Sequence, residues 1–272
     1  MSIVAISQTL GSLGEEIGRK LAQTLSWPCA DREVILEAAN RFGEGVMVLE
    51  HFTEEKPHLW ERFSDSQRRY QTFIEAIILE MAARGHVVLS GRGASLVLRT
   101  VRHALKVRVT APELVRAKRV ETQQGLTPEA AEHLVRHSDR ERAARLKFLY
   151  HVDWEDPLLY DIALNTERVD VEHACGLLQA ALKSERFQPT PESRAEIQDL
   201  SLAARARAAL LVNPDTRRLS LGITVRDGWV AVSGGVDREQ QRKTVEDVLA
   251  QIPGVTGVQN EVVVTLPVRP RL

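Results

Sequence analysis

The first twenty-five residues restrict the fold more than any other stretch. Ile3-Val4-Ala5-Ile6-Ser7 is a continuous apolar run, and Gln8-Thr9-Leu10-Gly11-Ser12-Leu13-Gly14 carries it into Ile17, Leu21 and Leu25, which recur every four residues. The run reads as a buried strand, and the four-residue spacing as the apolar face of a helix. A strand that is apolar throughout needs cover on both faces, and a helix that follows it returns the chain to a parallel neighbour. The chain is thereby directed to an α/β layer fold.

The alternation continues. Trp27 to Ala30 predicts a short second strand ending at Asp31, and Val34, Ile35, Ala38 and Ala39 begin another helix. Tyr70, Phe73, Ile74, Ile77, Ile78 and Met81 form a broad helical stripe, and His86-Val87-Val88-Leu89-Ser90 predicts a strand ending in Gly91-Arg92-Gly93. Leu105, Val107 and Val109 alternate with Lys106 and Arg108, the pattern of a half-exposed strand. Helices over about 112–124 and 128–149, a strand over 161–165 and a helix over about 170–184 complete a mostly parallel sheet with helices on both faces.

A polar, Pro-bearing run from about Lys183 to Glu196 separates a second pattern. A helix is expected over about 196–211. Leu219 to Val225 and Trp229 to Ser233 flank Arg226-Asp227-Gly228, a hairpin turn. Asp237 is expected to cap a helix running to about Gln251, and Val255 to Leu266 returns as a strand. The expected organisation is an α/β domain over 1–185, a linker over 186–195 and a small α+β unit of order α-β-β-α-β over 196–267.

Charge and composition exclude some functions. With 36 basic and 37 acidic residues the chain is nearly neutral, which argues against a dedicated nucleic-acid partner. The N-terminus lacks a basic n-region, and no stretch approaches the roughly 18 apolar residues of a membrane span, so a cytoplasmic chain is expected. Cys29 and Cys175 form no CxxC pair and read as apolar thiols. The histidines show no metal-ligand spacing.

The turn after the first strand is the first candidate site. A glycine turn between a strand and a helix N-terminus presents backbone N–H groups to an anion. As a Walker A loop it is a variant, because Gly14, Glu15 and Glu16 stand where Lys and Ser/Thr are expected. A dinucleotide turn is a second reading, with Gly11, Gly14 and Gly18 loosely spaced and Asp31 placed to meet a ribose hydroxyl. A tight turn without a ligand is the third.

Two further groups favour a phosphate site. Gly91-Arg92-Gly93 ends a strand, where parallel sheets place their ligands. From Arg84 to Arg119 there are nine basic residues against one acidic, Glu113. Further on, Arg136 and Arg140, and Arg142 and Arg145, pair on helix faces. A local cation cluster in a neutral chain points to a small anionic ligand.

The ordered series Ile6-Ser7, Gly11-Ser12-x-Gly14-x-x-Ile17, Asp31-Arg32-Glu33, Gly91-Arg92-Gly93, Asp139-Arg140-x-Arg142-Ala143, Asp153-Trp154-x-Asp156-Pro157-x-x-Tyr160-Asp161 and Asn165-Thr166 resembles the cytidylate kinase-like family. The resemblance spans about residues 1–185. It implies a P-loop nucleoside-monophosphate kinase fold, ATP with Mg2+ as donor and a CMP-like nucleotide as acceptor. Carried over, Gly11, Ser12 and Gly14 lie in the phosphate loop, and Asp31 and Arg92 face the acceptor. Arg140 and Arg142 are lid arginines, with Arg116 and Arg119 as further candidates.

Two positions depart from the family. Gln8 stands where an Arg is expected and Leu13 where a Gly is expected. An active kinase and a catalytically degenerate nucleotide-binding regulator or scaffold therefore both stay open. The Asp153–Asp161 stretch could supply a carboxylate to Mg2+, but nothing selects one.

Residues 196–266 resemble a BON domain through Val225-Arg226-Asp227-Gly228-Trp229-Val230, Val232-Ser233-Gly234-Gly235-Val236 and Ile252-Pro253-Gly254-Val255 running to Asn260-Glu261-Val262. That resemblance implies a module binding phospholipid or a small ligand, or a regulatory role. Trp229 reads as a cross-strand packing residue or an exposed contact.

Overall fold

β1 (Ile3–Gln8) is the middle strand of a five-stranded parallel sheet of order β2-β3-β1-β4-β5. The structure is a computed structural model, and it describes residues 2–45 and 64–265. β2 is Cys29–Ala30, β3 Val87–Ser90, β4 Ala104–Thr110 and β5 Ile162–Asn165. β1 pairs with β3 through Ile3↔Val87 to Ile6↔Ser90, and with β4 through Ile3↔Ala104 to Gln8↔Val109. Ile3, Val4, Ala5 and Ile6 are all fully buried, as expected of a strand covered on both faces.

α1 (Gly14–Leu25) and α7 (Val171–Leu182) cover one face, where Ile17, Leu21, Ala174 and Leu178 meet Val4, Ile6, Val107 and Val109. α2 (Arg32–Phe42) and α3 (Ser64–Arg84) cover the other, where Val34, Ile35, Phe73, Ile77 and Ile78 pack on Ile3, Ala5 and Leu89. α4 (Ala94–Val97) is one turn after β3. α5 (Glu113–Gln124) and α6 (Pro128–Tyr150) form a hairpin joined by Ala117, Val120, Ala131 and Val135, with Leu10 packed against it. Thr127 caps α6, accepting the Ala130 N–H at 3.3 Å, and Pro128 opens it.

The Pro-bearing run is a helix start. Ser184 caps a short 3-10 turn at Glu185–Phe187, and α8 (Pro191–Val212) begins five residues ahead of the expected position 196. Thr190 and Ser193 form a reciprocal cap, and Pro191 takes the first helical position, where a missing N–H costs nothing. β6 (Leu221–Arg226), β7 (Trp229–Val236) and β8 (Gly257–Val264) follow, with α9 (Glu239–Ala250) between the last two. β6 and β7 are antiparallel, and β7 and β8 parallel. Arg238, not Asp237, holds the cap position of α9, with no side-chain bond to its backbone. Leu266 lies outside the described residues.

α8 belongs to two cores at once. Ile197, Ala204 and Ala208 are buried with α2 and α3, while Leu202, Ala203, Ala206 and Leu210 are buried with β6, β7 and α9. Adjacent side chains tie the two sides. Gln198 Nε2 donates to the Ala83 carbonyl at 3.1 Å, and Asp199 accepts the N–H groups of Asp227 at 3.0 Å and Gly228 at 3.3 Å.

Two expectations follow. Ile197→Ala should cost about 2–4 kcal/mol, and calorimetry should show the whole chain melting at a lower temperature in one transition. Two separate transitions would show that the shared helix does not couple the cores. The second concerns His103, which is 1% exposed with no partner for Nδ1 among the described residues. Burial holds its pKa below the ordinary value, aided by the N-terminal charge and Arg194. An unfolded imidazole takes a proton near pH 6.5 while the buried one resists, so stability present above that pH falls as pH drops through it. Melting temperature should therefore decline on acidification from about pH 7.5 to 5, and less steeply in His103→Leu.

Candidate functional site

The turn between β1 and α1 is held from outside by donors to its carbonyls. Gln8 O accepts from Arg142 at 2.5 Å, Thr9 O from the Ser12 hydroxyl at 2.7 Å, and Leu10 O from Arg116 at 3.3 Å. Gly11 O accepts from Arg119 at 3.2 Å and Ser12 O from Thr166 at 2.9 Å. Each of the five carbonyls from Gln8 to Ser12 is thus engaged. The N–H groups of Thr9 and Ser12 are also used, on Val109 O and Thr9 O at 3.2 Å each, so it is the remaining N–H donors of the loop that face an anion, beside the positive end of α1.

The guanidiniums that do this are themselves fixed. Arg116 is 6% exposed and pairs through both terminal nitrogens with Asp139, at 3.2 and 2.7 Å, while Nε donates to Ala111 O at 2.8 Å. Arg119 also binds Thr166 through its hydroxyl at 3.0 Å and its carbonyl at 2.7 Å. Arg116 and Arg119 are therefore loop anchors, and Asp139 of the Asp139-Arg140-x-Arg142 motif anchors the anchor.

The loop glycines sit in close quarters. Gly11 has φ +75, and a Cβ there would stand 2.6 Å from the Arg116 carbonyl oxygen. A Cβ at Gly14 would stand 2.4 Å from Gln8 Oε1 and 2.6 Å from Gln8 Cβ. The Gln8 side chain therefore fills the space behind the start of α1. Leu13 keeps a left-handed backbone, φ 62, a conformation that costs an L-residue about 1–2 kcal/mol.

Beside the loop, at the C-terminal ends of β1 to β3, lies a cavity. Asp31, Arg92, Arg142 and Arg145 give it charge, Gln71 and Tyr150 a polar corner, and Tyr70, Ile74, Leu146 and Leu149 its apolar wall. Arg92 also has a left-handed backbone, φ 53, between Gly91 and Gly93, and its Nε donates to Asp31 Oδ1 at 3.1 Å. Burial raises the Asp31 carboxyl above its usual range, with the pull of Arg92 opposing. Burial likewise raises the Tyr150 phenol, helped by nearby Glu75, so it stays neutral.

The structure brings Asp31, Arg92 and Arg142 to one cavity wall and places Gly11, Ser12 and Gly14 in the adjoining loop. The Ser12 hydroxyl turns back onto Thr9 O. Arg140 lies on the exposed side of α6, outside that wall. Sequence reasoning missed a buried set behind the wall. Ser7 Oγ accepts from Trp154 Nε1 at 2.9 Å and from Arg108 at 3.2 Å, and lies 3.4 Å from the Tyr160 hydroxyl, which donates to Trp154 O at 3.0 Å. Arg108 was expected on a half-exposed face, but β4 is interior to the sheet and Arg108 is 8% exposed. Its alternation with valines marked the face correctly and the exposure wrongly. Trp154 and Tyr160 are buried, as expected of core aromatics.

Both cysteines are free, and burial pushes the Cys29 thiol up to about 11. No group of three metal-ligating side chains occurs among the described residues. Trp229 is 58% exposed, its indole lying across Gly257 on the paired strand.

The loop packing makes a direct expectation. Gly11→Ala combines a left-handed backbone with a backbone clash, so thermal unfolding should show a loss of about 2 kcal/mol or more. A neutral effect would mean that the turn yields.

Residues 3–168 match the cytidylate kinase-like family, and residues 198–265 match the BON domain. A cytidylate kinase of Methanothermobacter thermautotrophicus is 26% identical over 171 residues, covering 62% of this chain and 98% of its own. One of Pyrobaculum calidifontis is 24% identical over 172 residues, covering 63% and 87%. A solved structure of an uncharacterized protein from Eubacterium ventriosum shares the fold at TM-score 0.54 and 20% identity, covering 68% of this chain and 100% of that one. No helix among the described residues is long and apolar enough to cross a membrane. With its α/β domain matched over more than half of the sequence, the chain belongs to the cytidylate kinase-like family, and it carries a BON domain after that α/β fold.

Proposed function

We propose that this protein transfers the terminal phosphoryl group of ATP to a CMP-like nucleoside monophosphate. The observation that carries this reading is the junction of two features: a loop with every carbonyl from Gln8 to Ser12 engaged, and the adjoining cavity with Arg92 and Asp31 in its wall. The relatives named cytidylate kinase support the same substrate class.

In this reading the ATP phosphates lie over Gly11, Ser12 and Gly14, and the acceptor lies in the cavity. Arg92 holds the acceptor phosphate while its pair with Asp31 fixes the direction of the guanidinium. Tyr70, Ile74 and Leu149 give a base an apolar surface, and Gln71 with the neutral Tyr150 offers it hydrogen bonds. Arg142 ties the lid helix α6 to the loop through Gln8 O, and Arg140 reaches the site when α6 closes. An acceptor phosphate oxygen attacks the terminal phosphorus, the bond from that phosphorus to its bridging oxygen breaks, and ADP leaves. Catalysis of this kind is mostly positioning and charge stabilisation.

Mg2+ on the phosphates would neutralise charge and take one or two carboxylates. Glu15 and Glu16 at the start of α1 are next to the loop, and Glu15 is paired with Arg19 at 2.5 Å. In this reading the protein works in the cytoplasm, where these substrates are found. In this reading residues 1–185 are the kinase unit and 196–267 the BON unit, with 186–195 leading into the helix α8 that both cores share, and the BON unit binds a phospholipid or a small ligand and regulates through α8.

Leu13 and Gln8 favour a second reading, a nucleotide-binding regulator without turnover, because both alter the loop where phosphate approaches. One assay separates the two. ATP with a panel of nucleoside monophosphates should yield ADP and a nucleoside diphosphate, fastest with CMP. Arg92→Ala should lower kcat/KM by roughly thirtyfold to a thousandfold, about 2–4 kcal/mol of transition-state stabilisation. Binding of ATP by calorimetry with no diphosphate formed would establish the regulator instead.

A further inference from the structure

Three cations of this domain are matched to carboxylates, and a fourth, Arg119, gives its guanidinium to Gly11 O and Thr166. Arg92 has Asp31, Arg116 has Asp139, and Lys106 has Asp161 at 3.0 Å. Arg108 is as buried as Arg116, yet among the described residues no carboxylate lies within 4 Å of its guanidinium. It donates to Ser7 Oγ and stacks on Trp154, with its carbon 3.7 Å from the ring centroid. The Tyr160 ring is 5.8 Å away.

Magnitudes argue against a purely structural role. Burying an ion costs several kcal/mol even after the protein relaxes. The Trp154 and Tyr160 rings and one hydrogen bond from a charged donor return only part of that. Ser7 Oγ accepts from Trp154 as well as from Arg108, one bond to each lone pair. Tyr160 favours the charge most, followed by Asp139 and Glu155 from a distance, but Asp139 is engaged by Arg116, and Arg142 opposes it. Burial pulls the Arg108 pKa down, yet a guanidinium starts high enough to stay charged.

The location is informative. Arg108 pairs in register with Ser7, the residue before Gln8, and both Ser7 and Trp154 line the cavity. The charge therefore sits directly behind Ser7 and Trp154, on the side of the cavity that adjoins the loop. The loop has neither a lysine at Gly14 nor an arginine at Gln8. A buried charge acts over a longer distance than an exposed one, because less water screens it.

We propose that Arg108, from the neighbouring strand, supplies the positive charge that the loop itself lacks and takes a phosphoryl group of the bound nucleotide as its counter-ion. The proposal rests on the nucleotide reading for the identity of the ligand, while the anion requirement rests on Arg108 alone.

The test compares the full-length protein with Arg108→Met and with Arg108→Gln, a neutral variant that keeps a donor for Ser7. Melting temperature is read without ligand, and calorimetry reads binding of ATP with Mg2+, CMP and inorganic tripolyphosphate. Both variants should melt at or above the parent, since an uncompensated charge is gone. Each should bind tripolyphosphate and ATP about tenfold or more weakly. A neutral variant that binds both within about twofold of the parent overturns the proposal. So does failure of both variants to fold, which would make Arg108 a structural residue. If the parent binds tripolyphosphate through Arg108 but neither nucleotide, the nucleotide reading falls and the requirement of Arg108 for a phosphate anion stands. If it binds ATP and CMP regardless of residue 108, only the Arg108 proposal falls.

Discussion

The site depends on where five backbone carbonyls go. A peptide group carries a donor and an acceptor together, so a turn can present donors to an anion only if its acceptors are satisfied elsewhere. Here the acceptors from Gln8 to Ser12 are taken by Arg142 on α6, the Ser12 hydroxyl, Arg116 and Arg119 on α5, and Thr166 after β5. Residues over a hundred positions away in sequence thus shape a short loop. The arginine-rich segment serves this purpose in part, and much of its positive charge is spent on carbonyls and on Asp139 rather than on a ligand.

That arrangement changes the meaning of the near-neutral total. Several charges in this chain cancel locally in pairs, Arg92 with Asp31, Lys106 with Asp161 and Arg116 with Asp139. Against such a background an unmatched buried guanidinium carries more information than a cluster of exposed ones. Arg108 is conspicuous for its lack of a nearby carboxylate among the described residues, not for its place in a basic run.

The second half of the chain is joined to the first by packing. α3 lines the cavity with Tyr70, Gln71 and Ile74, and it packs along α8, whose other side is core to the β6–β8 sheet. A shift of the small sheet therefore has a short, packed route to the cavity wall. Gln198 and Asp199, adjacent on α8, hold the two sides by separate hydrogen bonds.

Much of the architecture was legible in the residues themselves. Runs such as Ile3–Ile6 and the four-residue spacing of Ile17, Leu21 and Leu25 carry their own period, and period dictates strand or helix before any contact forms. Asp31, Arg92 and the loop glycines could be picked out because they end strands, where a parallel sheet opens. The run with Pro189 and Pro191 misled because proline signals a break and a helix start alike, and Thr190 and Ser193 decide between them only by their bonds. Burial of Arg108 was illegible, since alternation tells which side of a strand a residue faces and not what covers that side. The sequence by itself determined the order of strands and helices, the glycine turn and the near-neutral charge, because these are properties of neighbours along the chain. Only the tertiary structure decided which arginines anchor carbonyls, which has no counter-charge and that α8 serves two cores, because those depend on distances between residues the chain keeps far apart.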